Sequence, residues 1–88
     1  MMTLKKILER CRSLRQAFEQ DEAKFFLGLV EIEEEHLRVV LDAGHSTFDE
    51  FLERNSLCRV IRYRQFRAGL EHTTADKALY TSWLSVNA

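Results

Sequence analysis

The segment GHSTFDEFLERNSLCRVIRYRQFRAG (Gly44–Gly69) decides the fold of this chain. It opens on a glycine suited to ending a helix in a left-handed conformation. Thr47 and Glu50 then stand three apart, the spacing of a capping box, in which hydroxyl and carboxylate each accept from a free N–H of the first turn. Ser46 and Asp49 offer a shorter version of the same device. Phe48, Phe51 and Leu52 give the short helix that follows one apolar face. Asn55-Ser56 reads as a two-residue turn, with Ser56 capping the next helix. That helix is expected from Leu57 to about Ala68, where Gly69 stops or loosens it. A short helix, a tight turn and an arginine-studded helix are the parts of a helix-turn-helix unit.

Upstream, Leu4, Ile7, Leu8, Cys11, Leu14 and Phe18 recur three and four apart, which predicts a first helix from Thr3 to about Phe18. A second, longer helix is expected from near Asp21 to near Ala43. Phe25, Leu29, Ile32, His36, Val39 or Val40, and Ala43 form its stripe, and Glu31, Glu33, Glu34 and Glu35 its outer sides. Glu34 and Arg38 form an i,i+4 pair in the favourable order. Gly28 interrupts this helix at a cost of about 1 kcal/mol in propensity, so either a close helix crossing or a weak point is expected there. Downstream, TTADKALYTSWLSVNA predicts a fifth helix from about Thr74, packing through Ala75, Ala78, Leu79, Trp83 and Leu84. No segment alternates long enough to read as a strand. The expected architecture is all-α, a compact bundle of four or five helices in one domain spanning residues 1–88.

Hydrophobic residues make up 45% of the chain and charged residues 31%, the balance of a folded domain rather than a disordered tail. The 13 basic and 14 acidic residues nearly cancel, but they are arranged in blocks. Lys5 to Arg15 is basic, Glu19 to Glu35 is acidic, and Arg54 to Arg67 holds five arginines and no acid. Such blocks give a polar molecule distinct faces. No stretch has the length and apolarity of a membrane span, so no membrane association is expected. The absence of a signal-peptide pattern, with Cys11 and Cys58 far apart and in no CxxC setting, predicts free thiols and a cytoplasmic protein.

Two readings of the final arginine block follow. In the first, helix four binds nucleic acid, with duplex DNA as the ligand and Arg59, Arg62, Arg67 and Arg64 as the candidate contacts. Placed at 100° intervals, Leu57, Ile61 and Ala68 fall within about 40° of one another as the apparent buried stripe. Arg64 falls inside this stripe, while Tyr63, Phe66 and Leu70 lie on the other side. Arg10, Arg12 and Arg15 extend the basic surface. In the second reading the arginines only cover a helix, pairing with the glutamates of helix two, and the chain works by binding a host or regulatory protein. Glu31, Glu34 and Glu35 are then the candidate contacts. In either case a homodimer is expected, because a chain this small gains stability by pairing, and two copies supply two basic helices for two DNA half-sites.

Enzymatic and metal chemistry find little support. His36, His45 and His72 are never closer than nine residues apart. Glu33 and His36 have the ExxH spacing of di-iron helices, but the chain has no second copy unless a dimer supplies one. There is no phosphate-cradling glycine loop and no nucleophile motif. No enzymatic activity, metal or cofactor is expected.

The segment LVEIEEEHLRVVLDAGHSTFDEFLERNSLCRVIRYRQFRAG, about half the chain, resembles a pattern found in small phage, plasmid and mobile-element proteins. There a helix ends in glycine and is followed by an aromatic residue, two hydroxyl residues, Phe-x-x-Phe or Tyr-Leu, a turn and an Arg- or Tyr-bearing helix. The matching residues are Gly44, His45, Ser46, Thr47, Phe48, Phe51, Leu52, Leu57, Arg62 and Tyr63. His45 replaces the usual aromatic, and Cys58-Arg59 the usual small and polar helix start. Some proteins with this pattern are DNA-associated. The resemblance therefore implies an accessory or transcription-regulating role in a mobile element or bacterium, and assigns no residue as a contact.

Overall fold

The computed structural model describes residues 1–72, so the expected fifth helix from about Thr74 lies outside the described residues. Four helices form a compact bundle: α1 (Leu4–Ala17), α2 (Glu22–Asp42), α3 (Phe48–Arg54) and α4 (Val60–His72). Helix α2 is the spine and packs against each of the other three.

Helix α1 starts where its cap dictates. Thr3 Oγ1 accepts from the Lys6 N–H at 3.2 Å. Ile7 and Cys11 are fully buried, and Leu4, Leu8, Leu14 and Phe18 flank them. This apolar stripe is packed against α2. Gly28 marks the closest approach. A Cβ there would stand 2.7 Å from Leu14 Cδ1, inside van der Waals contact. The glycine is a spacer for a close helix crossing, and this accounts for a residue that otherwise weakens a helix.

Helix α2 opens on Asp21, whose Oδ1 accepts from the Lys24 N–H at 3.2 Å. It closes at Gly44, which adopts φ 101° and donates its N–H to the Leu41 carbonyl at 3.0 Å. Arg38 pairs forward with Asp42 at 3.5 Å. Phe25, Phe26, Leu29, Val30, Ile32 and Val40 are buried along its length.

Helix α3 is held by a variant of the expected capping box. Thr47 Oγ1 accepts from the Glu50 N–H at 3.0 Å. The Glu50 carboxylate reaches one residue further back, accepting from the Ser46 N–H at 2.9 Å and from the Ser46 hydroxyl. These bonds hold the Glu50 carboxyl below its ordinary range, the hydroxyl contact contributing most. Asp49 does not pair with Ser46. It turns inward and is buried.

The connection into α4 corrects the sequence reading. It spans residues 55–59 rather than two residues, and Ser56 is not a helix cap. Ser56 takes the left-handed φ of 52°, and the next N–H, from Leu57, donates to the Leu52 carbonyl at 3.0 Å. This fold-back drives Leu57 into the core at 1% exposure. The helix begins afresh beyond it, with the Arg59 carbonyl accepting from the N–H groups of Arg62 and Tyr63. The delay resets the phase of α4. Tyr63, Phe66 and Leu70 are buried, and Ile61 is 67% exposed. Two large rings remove more apolar area from water than Ile61 and Ala68 would, which decides the orientation. Gly69 does not stop the helix, which runs on to His72.

The rings meet in one cluster. Phe26 lies 5.8 Å from Tyr63 in an edge-on arrangement and 5.7 Å from Phe66. Phe48 closes the cluster from α3, 6.1 Å from Tyr63 and 5.6 Å from Phe51.

Candidate nucleic-acid interface

Helix α4 has an inner edge built from charges and an outer face left to solvent. At the inner edge, the Tyr63 hydroxyl donates to Glu33 Oε1 at 2.7 Å. Arg67 Nη1 donates to both oxygens of the same carboxylate, at 2.8 and 3.0 Å. The Arg67 guanidinium also stands 5.3 Å from the centre of the Tyr63 ring, within cation–π range. Burial, then the bond to Glu33, raises the Tyr63 phenol far above its ordinary range. Glu33 is therefore not on the outer side of α2; it ties α2 to α4.

Asp49 forms the second node. Its carboxylate accepts from Arg64 Nε at 2.7 Å and from the two Nη groups of Arg67 at 3.3 Å each. A carboxylate buried this deeply, with 8% of its side chain exposed, is stable because two guanidinium groups meet it. The network Tyr63–Glu33–Arg67–Asp49–Arg64 joins α2, α3 and α4. Arg62 makes a third tie, its guanidinium gripping the Glu22 carboxylate, with Nε–Oε1 at 3.0 Å. This pairing raises the Arg62 pKa further.

The four candidate arginines are thus separated by role. Arg67 belongs to the internal network and does not face outward. Arg62 is shared between solvent and Glu22. Arg64 is anchored at Nε with 58% of its side chain exposed. Arg59 is exposed, and among the described residues its guanidinium has no ion-pair partner. The outer face of α4 consists of Ile61, Arg64, Gln65 and Ala68, all exposed, and Arg59 is exposed in the turn just before it. No acid occurs in the sequence between Leu57 and Leu70, so the acids that meet Arg62, Arg67 and Arg64 come from other helices: Glu22, Glu33 and Asp49. Sequence reasoning missed Ile61 and Gln65 because it set the helix phase by the aliphatic residues. The signal was the second periodicity, Tyr63, Phe66 and Leu70 at spacings of three and four.

Beside this face, Arg15 of α1 donates from Nη1 to the Ser56 carbonyl at 3.0 Å, bringing the basic end of α1 to the turn. An open groove runs here between the end of α1, the start of α2 and the start of α4, with Phe18, Phe25 and Leu57 on its walls beside the acids Glu19, Glu22 and Glu53. Burial pushes the Cys58 thiol up to about 11 and that of Cys11 to about 12, so neither is a nucleophile near neutrality.

Glu31, Glu34 and Glu35 are exposed on α2. Arg10 approaches Glu35 at 3.6 Å and His36 Nε2 at 3.2 Å, which places His36 at the core boundary. His45 stacks edge-on against Phe51 at 5.4 Å as a turn residue. Among the described residues, no three His, Cys, Asp or Glu side chains gather as a metal site, and no helix is long and apolar enough to cross a membrane. Comparison with protein-family models, with curated proteins and with solved structures finds no match to this chain.

Proposed function

We propose that this chain is a small non-enzymatic regulatory or accessory protein that binds duplex DNA as a homodimer. The binding unit is α3, the turn at residues 55–59, and α4, used as a helix-turn-helix. The observation that carries this reading is the outer face of α4. It presents Arg64, held at Nε by Asp49 but 58% exposed, beside Ile61, Gln65 and Ala68, with Arg59 exposed just ahead of the helix and without an ion-pair partner among the described residues, while the inner face is committed to the core. Two further features support it. Ser56 holds within the turn the left-handed conformation that glycine commonly supplies in such units. Arg15 sets a further cation beside the turn. Two copies would set two reading helices about 34 Å apart, one helical turn of DNA.

Binding to a fluorescent duplex, measured across a salt series, tests the proposal. Each phosphate contact contributes about one unit to the slope of log affinity against log salt. Arg59→Ala is expected to lower the slope by about one, and Arg59→Ala with Arg62→Ala by about two. A parent protein that binds no duplex, or a double variant with the parental slope, rejects the reading. The exposed carboxylates of Glu31, Glu34 and Glu35 then favour the second reading, docking on a basic surface of a host or regulatory protein.

A further inference from the structure

We infer that α4 reads base sequence in the major groove, with Arg64 and Gln65 as its specificity-determining side chains and Asp49 as the residue that orients Arg64. This rests on the DNA reading above and goes beyond it, because phosphate attraction alone carries no sequence information.

The distribution of charge on the outer face is the first argument. A surface built only for phosphates would be cationic throughout. Here the centre of the exposed face is Ile61, Gln65 and Ala68, which are uncharged, with Arg64 on its border and Arg59 just ahead of the helix. Gln65 carries one amide donor and one acceptor, which match N7 and N6 of adenine. Ile61, 67% exposed one turn earlier, offers an aliphatic surface of the kind that meets a thymine methyl. Ala68 is too short to hold the helix away from the groove floor.

The geometry of Arg64 is the second argument. Asp49 Oδ2 takes its Nε at 2.7 Å and leaves both Nη groups available. Those two groups form the fork that meets O6 and N7 of guanine. The carboxylate that holds Arg64 is itself fixed from behind by Arg67 Nη1 and Nη2 at 3.3 Å. Arg64 therefore loses its rotamer freedom on folding rather than on binding, which is how a side chain is prepared for a bidentate contact. A surface arginine placed only for charge needs no such buttress.

The test is selection of sites from a random duplex pool at about 0.15 M salt, followed by affinities for the selected and a scrambled duplex. The parent is expected to enrich a shared motif and to prefer it about a thousandfold or more. Gln65→Ala and Arg64→Lys are each expected to relax one base position, reducing discrimination there by about 5- to 150-fold, with affinity for the scrambled duplex nearly unchanged. Asp49→Asn is expected to lower the selected-to-scrambled ratio, and Arg64→Lys combined with it to lower the ratio no further. If Asp49→Asn fails to fold by circular dichroism, Arg64→Lys and Gln65→Ala decide alone. Enrichment of no motif by a parent that binds duplex overturns this inference and leaves the DNA reading standing. Parental ratios in both single variants do the same. A parent that binds no duplex overturns both.

Discussion

Helix α1 and helix α4 dock on the same spine by different chemistry. The α1–α2 seam is dry at its centre, with Arg10 reaching Glu35 and His36 only at its edge. Ile7, Cys11 and Leu14 lie against α2, and Gly28 lets the backbones approach. The α4 seam sets aromatic rings beside a network of carboxylates and guanidinium groups. Dry packing depends on volume and holds no charge for salt to screen. The polar network is directional, so it fixes the rotation of α4 about its own axis. The difference teaches that α4 is held for orientation as much as for stability.

The comparison breaks most visibly at Ile7. Ile7→Ala leaves a cavity in the dry seam and is expected to cost about 2–5 kcal/mol in urea unfolding. The loss should be the same in low and high salt. A strong salt dependence would mean that the seam is less dry than its packing indicates.

Glu33→Gln probes the polar seam. It keeps the shape but removes the charge that Tyr63 and Arg67 share, and is expected to cost about 1–3 kcal/mol, toward the lower figure because Arg67 keeps some solvent. Hydrogen exchange should quicken in α4 before it quickens in α1. Uniform acceleration across all helices would erase the proposed contrast between the seams.

The smallest effect is a gain. Ser56 is exposed and left-handed, a conformation costly for a residue with a Cβ. Ser56→Gly is expected to raise the unfolding midpoint, by about 0.5–1 kcal/mol in stability. An unchanged or lowered midpoint would show that the backbone entropy of glycine outweighs the relief of strain.

The parts of this fold that sequence reading reached are those written locally. The expected starts near Thr3, Asp21 and Thr47 fall where side chains cap their helices within one turn, and Gly44 ends α2 by its own conformation. The α1 stripe needs only its own period. The phase of α4 was not legible from Leu57, Ile61 and Ala68, because Leu57 lies in the turn and not in the helix. What decides the phase is a site for Tyr63 made by Phe26, Phe48 and Glu33, residues distant in sequence. The candidate interface followed the same division. The arginine block and its lack of acid were plain, but which arginine faces outward depends on Glu22, Glu33 and Asp49, partners 15 to 40 positions away.

The Leu57–Leu52 hydrogen bond and the burial of Leu57 have a mechanical consequence. Leu57 is a wedge between two short helices, and the bond behind it closes the angle they make. Asp49 grips Arg64 and Arg67 further along the same joint. With a pin at each end, α3 and α4 are a single stiff bracket rather than two hinged rods. A force applied to the outer face of α4 is passed to α3 and, through Glu33, to the spine, so the three helices answer it as one body.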